Sequence, residues 1–70
     1  MTKLTLDITI KRLDKSKHRY FEVRAQAPRR GDILETVVDR RFVKAEVEVT
    51  FPERNLIGPP RTWIVRAEEI

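Results

Sequence analysis

Two segments of the chain alternate apolar and polar residues almost without interruption. In the first segment the apolar set is Leu4, Leu6, Ile8 and Ile10, and in the second it is Val43, Ala45, Val47, Val49 and Phe51. Successive side chains of a β-strand point to opposite faces of the sheet, so each segment predicts a strand with one buried and one hydrated face. This pattern defines an architecture and leaves the biochemical activity open.

The length of the chain limits how much it can bury. Its 70 residues correspond to one small domain, residues 1–70. A chain this short buries only about 60% of the surface that its unfolded form exposes. It contains no cysteine, so disulfides and thiolate zinc sites cannot stabilise it. We therefore expect stability from packing, with help from a protein partner or from self-association.

The apolar runs of the sequence are all short. None approaches the roughly 20 residues that a helix needs to cross a bilayer. The N-terminal segment is a charged, alternating strand and lacks the apolar core of a signal peptide. Together with the absence of cysteine, these features predict a soluble, unprocessed cytoplasmic protein that does not bind membranes.

The positive charge is concentrated in the first half of the chain. The net charge is +4, with nine Lys or Arg against three acids in residues 1–30 and six against eight in residues 31–70. The first half could therefore present a basic surface to a polyanion. The alternative is that these cations simply solvate the hydrated face of a small domain.

The first two strands form a predicted hairpin. They cover residues 3–13 and 18–25, with a polar turn between them in which Asp14 and Ser16 can bond their own backbone. For the second strand the sequence favours Phe21, Val23 and Ala25 as the inward set, leaving His18, Tyr20, Glu22 and Arg24 outward.

The stretch after Gly31 is compatible with two elements. Its apolar pairs are four residues apart, and Asp32 with Glu35 has the spacing of a helical capping box. Residues 36–38 are consecutive β-branched residues, which favour a strand. We favour the strand, and a helix over about 32–42 is the alternative.

The strand interpretation gives an all-β fold. It is a five-stranded antiparallel meander that closes into a small barrel, with a long strand over 42–51 and a last strand from residue 63. The helix interpretation gives an α+β fold with the β-grasp order ββαββ. The predicted core is Leu4, Leu6, Ile8, Ile10, Phe21, Val23, Val43, Ala45, Val47, Val49, Trp63 and Val65.

Two family resemblances accompany these alternatives. The turn of Gly31 and Asp32 before a strand resembles the start of a strand in Src-homology-3-like barrels, which implies a small barrel. The opening hairpin with the possible helix is similar to the N-terminal part of β-grasp ferredoxins. That second resemblance implies no iron–sulfur function, because the cysteine ligands are absent.

The sequence supplies few residues for catalysis. His18 and Ser16 are its one histidine and one serine, and they flank a turn without evident oxyanion donors. Gly31 and Gly58 are too far apart for a phosphate-binding loop. Glu46 and Glu48 share a strand face without the spacing of a cation-binding loop. We therefore expect a protein that is not an enzyme and that uses no cofactor and no metal.

Protein binding is the function that the sequence favours. The loop over 55–60 carries apolar and stiff residues that could anchor a partner or fold back to plug the barrel end: Leu56, Ile57, Pro59 and Pro60. Open edge strands offer a second route, because they can pair with another chain of the same or of a different protein. The chain is thus interpreted as a binding or assembly module.

Nucleic-acid binding is the alternative function. Small barrels bind single strands with cations on the phosphates and aromatic side chains on the bases. The candidate contacts lie in and around the first hairpin and are Lys11, Lys15, Lys17, Arg19, Tyr20, Arg24, Arg29 and Arg30. Glu22 lies within this set and opposes a phosphate.

Overall fold

A computed structural model describes residues 3–54 and 61–70. These residues form five strands and no helix, so the all-β fold is confirmed and the helix over 32–42 is wrong. The strands curl into a half-barrel. They are β1 (Leu4–Lys11), β2 (Lys17–Arg24), β3 (Ile33–Val38), β4 (Arg41–Pro52) and β5 (Thr62–Glu69).

The strand order differs from the predicted antiparallel meander. The order is β2-β1-β5-β4-β3, and β1 runs parallel to β5, so the sheet is mixed. All other neighbouring strands are antiparallel. The chain returns its fifth strand to the centre of the sheet, beside the first, so β1 has a neighbour on each side, and its residues Leu6, Ile8 and Ile10 are fully buried.

The segment that could have been a helix is an edge strand. Residues Ile33–Val38 pair with β4 through a two-residue turn, Asp39 and Arg40, whose φ angles are 51° and 65°. Positive φ at both positions is the geometry of a type I′ turn, whose twist matches that of the flanking strands. The β-branched run therefore decides the conformation, and the apolar pairs place Leu34 and Val38 in the core.

The core lies on the inner face of the curled sheet. Leu4 and Trp63 are half-buried and pack against it. Leu34, Val38 and Ala67 belong to it although the sequence did not single them out. The buried apolar side chains are Leu6, Ile8, Ile10, Leu34, Val38, Val43, Ala45, Val47, Val65 and Ala67.

The predicted inward set of β2 is wrong. Ile8 lies opposite Tyr20, and opposite residues of an antiparallel pair share a face, so Tyr20 points to the core. Phe21 and Val23 consequently point outward and are 63% and 60% exposed. The cause is the register that the β1–β2 turn imposes, since a shift of one residue would move every side chain to the other face.

The predicted core position of Val49 is also wrong, and so is the inward face of Phe51. The pairing of β4 with β5 skips Glu48, which is the extra residue of a β-bulge between Val47 and Val49. Because the bulge inserts one residue, the odd-numbered residues, which point inward before the bulge, point outward after it. Val47 points inward, and Val49 and Phe51 are exposed on the outer face.

Arg12 ties together one end of the half-barrel. Its Nε lies 3.2 Å from Oε1 of Glu69, and its Nη1 lies 3.6 Å from Oδ2 of Asp39. The same Glu69 oxygen accepts a hydrogen bond from the backbone N–H of Leu13, at 3.3 Å. The β1–β2 loop, the β3–β4 turn and the end of β5 therefore meet at one guanidinium.

Two aspartate substitutions test the bulge and the face assignment. We expect Val47→Asp to abolish cooperative unfolding, because Val47 is 1% exposed and the carboxylate would be buried without a partner. Val49→Asp should cost less than about 1 kcal/mol, because Val49 is 45% exposed. Thermal unfolding followed by circular dichroism measures both. Equal loss of stability in the two variants would contradict the bulge.

Candidate functional site

The outer face of the sheet carries a row of large side chains across four strands. Phe21 of β2, Asp7 of β1, Ile64 of β5 and Phe51 of β4 are aligned as successive cross-strand partners. Val23 and Val49 lie two residues along β2 and β4 from Phe21 and Phe51, on the same face. Together these apolar side chains form the outer apolar patch, defined as Phe21, Val23, Val49, Phe51 and Ile64.

An ion pair crosses the middle of the outer apolar patch. Arg19 donates from Nε to Oδ1 of Asp7 at 2.8 Å and from Nη2 to Oδ2 at 2.7 Å. This hydrogen bonding lowers the pKa of Asp7 below its usual value. The Arg19 guanidinium carbon also lies 5.3 Å from the ring centre of Phe21, within cation–π range. Arg19 is therefore held over the patch by Asp7 and Phe21. The Asp7 carboxylate neutralises much of the positive charge of Arg19.

A cluster of cations adjoins the patch on the same face. Lys11 lies directly opposite Lys17, and Thr9 lies between Arg19 and Arg66. Like charges directly opposite one another destabilise a sheet. Lys11, Lys17 and Arg66 have no carboxylate within 4.0 Å among residues 3–54 and 61–70. These three residues form the outer cationic cluster.

Acidic residues limit the outer cationic cluster on one side. Glu48, at the bulge, lines the same surface depression as Lys11, Lys17 and Arg66. Desolvation and the neighbouring Glu68 carboxyl raise the pKa of Glu48, although Lys11 acts in the opposite direction. Within the described parts of the chain, no three His, Asp or Glu side chains are grouped as ligands for a metal ion. The cations and acids of this region therefore partly neutralise each other.

The candidate polyanion contacts are divided between several surfaces. Lys11, Lys17 and Arg19 lie on the outer face, and Lys15 lies in the β1–β2 loop. The register of β2 decides which of its residues lie on the outer face and which on the inner face. On the inner face are Tyr20 and Arg24, and the loop between β2 and β3 carries Arg29 and Arg30.

Two of these candidates on β2 are engaged by acids or by the core. Arg24 Nε lies 2.9 Å from Oε2 of Glu22, which reduces its availability to a phosphate. Tyr20 is half-buried and packs against the core, and desolvation raises the pKa of its phenol. The predicted outward orientation of Tyr20 and Arg24 is therefore wrong, because the register of the first hairpin aims them inward. Tyr20 does not stand beside Lys17 as a stacking platform.

The candidate partner contacts on the 55–60 loop lie outside the described residues. These contacts are Leu56, Ile57, Pro59 and Pro60, and their role remains a prediction. The outer apolar patch is a different surface, which the sequence analysis missed. The outer apolar patch can be recognised only when the bulge and the hairpin register are known, because both change which apolar residues point outward.

Two cations occupy strained positions at the tips of the hairpins. Lys15 has a φ of 71° and Arg40 has a φ of 65°, both in the left-handed region that side chains other than glycine disfavour. Asp14 supports the first tip by accepting a hydrogen bond from the backbone N–H of Ser16 at 2.9 Å. Tight hairpin turns need a left-handed residue at these positions, which accounts for the strain. The Arg12–Asp39 ion pair brings the loops that carry these cations together.

No protein-family model, curated protein or solved structure that was compared with the chain matches it significantly. The described residues include no helix with the length and apolar character to cross a membrane. What the protein does must therefore be inferred from the geometry of its surfaces.

The strain at the second hairpin tip is open to a direct test. We expect Arg40→Gly to raise the free energy of unfolding by about 1 kcal/mol, because glycine avoids the steric penalty of a left-handed residue. Arg41→Gly is the matched control, since Arg41 is paired in the sheet and should gain nothing. Urea unfolding measures both variants. An unchanged stability for Arg40→Gly would show that the turn is not strained.

Proposed function

We propose that this protein is a non-catalytic binding or assembly module that docks to another protein through the outer apolar patch. The observation that carries the proposal is the exposure of Phe21, Val23, Val49 and Phe51 on one face of the sheet. Exposed apolar side chains grouped on one face and flanked by charged residues are typical of interaction surfaces. The absence of cysteine fits action in a reducing compartment such as the cytoplasm.

The register of the first hairpin supports this proposal. A side chain such as Phe21 or Val23 contributes about 1.5–3 kcal/mol when it is fully buried rather than exposed. The hairpin leaves both outside the core of a chain that has no disulfide to stabilise it. A partner that covers the outer apolar patch recovers this contribution on binding.

A matched pair of lysine substitutions tests the docking surface. Phe51→Lys places a charge inside the outer apolar patch, and we expect it to weaken association at least about tenfold, as for an aromatic hot spot. Phe42→Lys is the control, because Phe42 is 89% exposed on the same strand but lies outside the patch. Association is measured by sedimentation over a range of concentrations and by retention of partners on the immobilised protein.

The two variants give outcomes that can be distinguished. Loss of association in Phe51→Lys alone supports the proposal. If both variants associate like the wild type, or if the wild type neither self-associates nor retains a partner, the outer apolar patch is not a docking surface. Circular dichroism must show that both variants keep the fold, which is expected because both side chains are exposed.

Nucleic-acid binding is a second candidate, favoured by the outer cationic cluster. Lys11 and Lys17 oppose each other on neighbouring strands, an arrangement that a bound phosphate stabilises. Arg66 adds a third cation from β5, and Thr9 lies opposite it on β1. The cluster is small and has acidic neighbours, so we rank this function behind protein binding.

Salt dependence tests the second candidate. If the outer cationic cluster binds phosphates, the affinity for a single-stranded oligonucleotide must fall steeply as salt rises, and Lys17→Ala should lower the slope by about one. Lys44→Ala is the control, because Lys44 pairs with Glu35 at 3.8 Å. Filter binding measures both variants. Absence of binding at roughly 50 mM salt would exclude this function.

A further inference from the structure

We propose that a second copy of this chain pairs with the first through β2, with the two β2 strands antiparallel across a two-fold axis. This proposal goes beyond the proposed function, because the pairing uses the free edge of β2 and involves the outer apolar patch only through Phe21 and Val23. The two half-barrels would then share one continuous sheet, in which the edge formed by β2 becomes a central seam. Pairing between exposed strand edges is a common route to association.

The free edge of β2 has its hydrogen-bonding groups available. Arg12 donates its backbone N–H to the carbonyl of Ser16 at 2.7 Å, which fixes the alternation of hydrogen bonds along the hairpin. By this alternation, the inner-face residues of β2 direct their backbone groups toward β1. The outer-face residues direct theirs to the free edge, and these residues are Lys17, Arg19, Phe21 and Val23.

The edge of β2 also lacks features that block pairing. Lys17–Arg24 is an unbroken strand of eight residues without proline. Among residues 3–54 and 61–70, β2 pairs with β1 alone. Natural edge strands are commonly protected by a bulge, a proline or a covering segment. The described part of β2 has none of these, although its lysine and arginine side chains reduce non-specific pairing.

Charge complementarity selects one register between the two copies. Centring the two-fold axis on Arg19 or on Glu22 places like charges directly opposite each other. Centring it on Phe21 places His18 opposite Arg24 of the second copy. Centring it on Tyr20 places His18 opposite Glu22 and Arg19 opposite Phe21 of the second copy. The Tyr20-centred register pairs His18 with a carboxylate and Arg19 with an aromatic ring and brings no like charges together, and it is the one we propose.

The proposed register covers the exposed apolar residues of β2. Phe21 would lie opposite Arg19 of the second copy, extending the cation–π contact that Arg19 already makes with Phe21 within one chain at 5.3 Å. Val23 would lie opposite the aliphatic stem of Lys17. Phe21 and Val23 of each copy then lie at the seam, whereas the other members of the outer apolar patch, on β4 and β5, lie away from it.

Disulfide trapping tests the register directly, because the chain contains no cysteine of its own. In the proposed dimer, residue 17 of one copy lies opposite residue 23 of the other, with Cα atoms about 5.5 Å apart and within reach of a disulfide. Mixing Lys17→Cys with Val23→Cys chains should therefore give a cross-linked heterodimer at least tenfold faster than either variant gives a homodimer. Lys44→Cys reports random collisions.

Sedimentation of a second pair of variants keeps the proposal testable if cross-linking perturbs the strand. We expect the wild type to sediment as a dimer and Phe21→Lys to dissociate at least tenfold more readily, because the new ammonium would face Arg19 of the second copy. Phe42→Lys should remain dimeric. Both side chains are exposed in the single chain, so neither substitution should unfold it.

The possible failures separate this proposal from the proposed function. If a dimer forms but cysteines at residues 17 and 23 do not cross-link, the β2 pairing is overturned and docking through the outer apolar patch is not contradicted. If the wild type stays monomeric but binds a different protein, and Phe51→Lys weakens that binding, then only the proposal of pairing with a second copy is overturned. A monomer that binds nothing overturns both proposals.

Discussion

The register of the first hairpin is the constraint on which the other surfaces depend. The backbone N–H groups of Arg12 and Lys15 donate to carbonyls at the tip, at 2.7 Å and 2.9 Å, and these bonds place Ile8 opposite Tyr20. From that pair outward, every residue of β2 is assigned to the inner or the outer face. The core receives Tyr20, and the outer face receives Phe21 and Val23. An interaction surface on the outer face is a direct consequence of how the hairpin closes.

Alternation along the chain predicts strands well and faces less well. The faces of β1, and those of β4 as far as Val47, follow the apolar pattern because no bulge interrupts either segment. β3 is also predictable, since its β-branched run outweighs the helical spacing. The faces of β2 and of β4 beyond Glu48 are not, because a turn register and a bulge change parity without changing the pattern of apolar residues. The parallel pairing of β1 with β5 joins residues that are far apart in the sequence, so no local sequence pattern indicates it.

The sequence also fails to predict how the charges are arranged on the surface. The basic first half predicts one cationic region, but folding brings acids to several of its members. Asp7 pairs with Arg19, and Glu22 pairs with Arg24. The cations that remain together on the outer face are Lys11 and Lys17, joined by Arg66 from the second half. A count by halves cannot find such a cluster, because cross-strand neighbours are distant in sequence.

The central position of β5 has a consequence for how the chain acquires its structure. During synthesis the hairpin of β1 and β2 and the hairpin of β3 and β4 can each form from local contacts. They cannot join, because the strand that lies between them, Thr62–Glu69, is made after all the others. Closing the distance between β1 and β5 is entropically costly, so folding should be slow for a chain of this size. Until then the nascent protein exposes two further unpaired strand edges, which favour aggregation until β5 pairs with both.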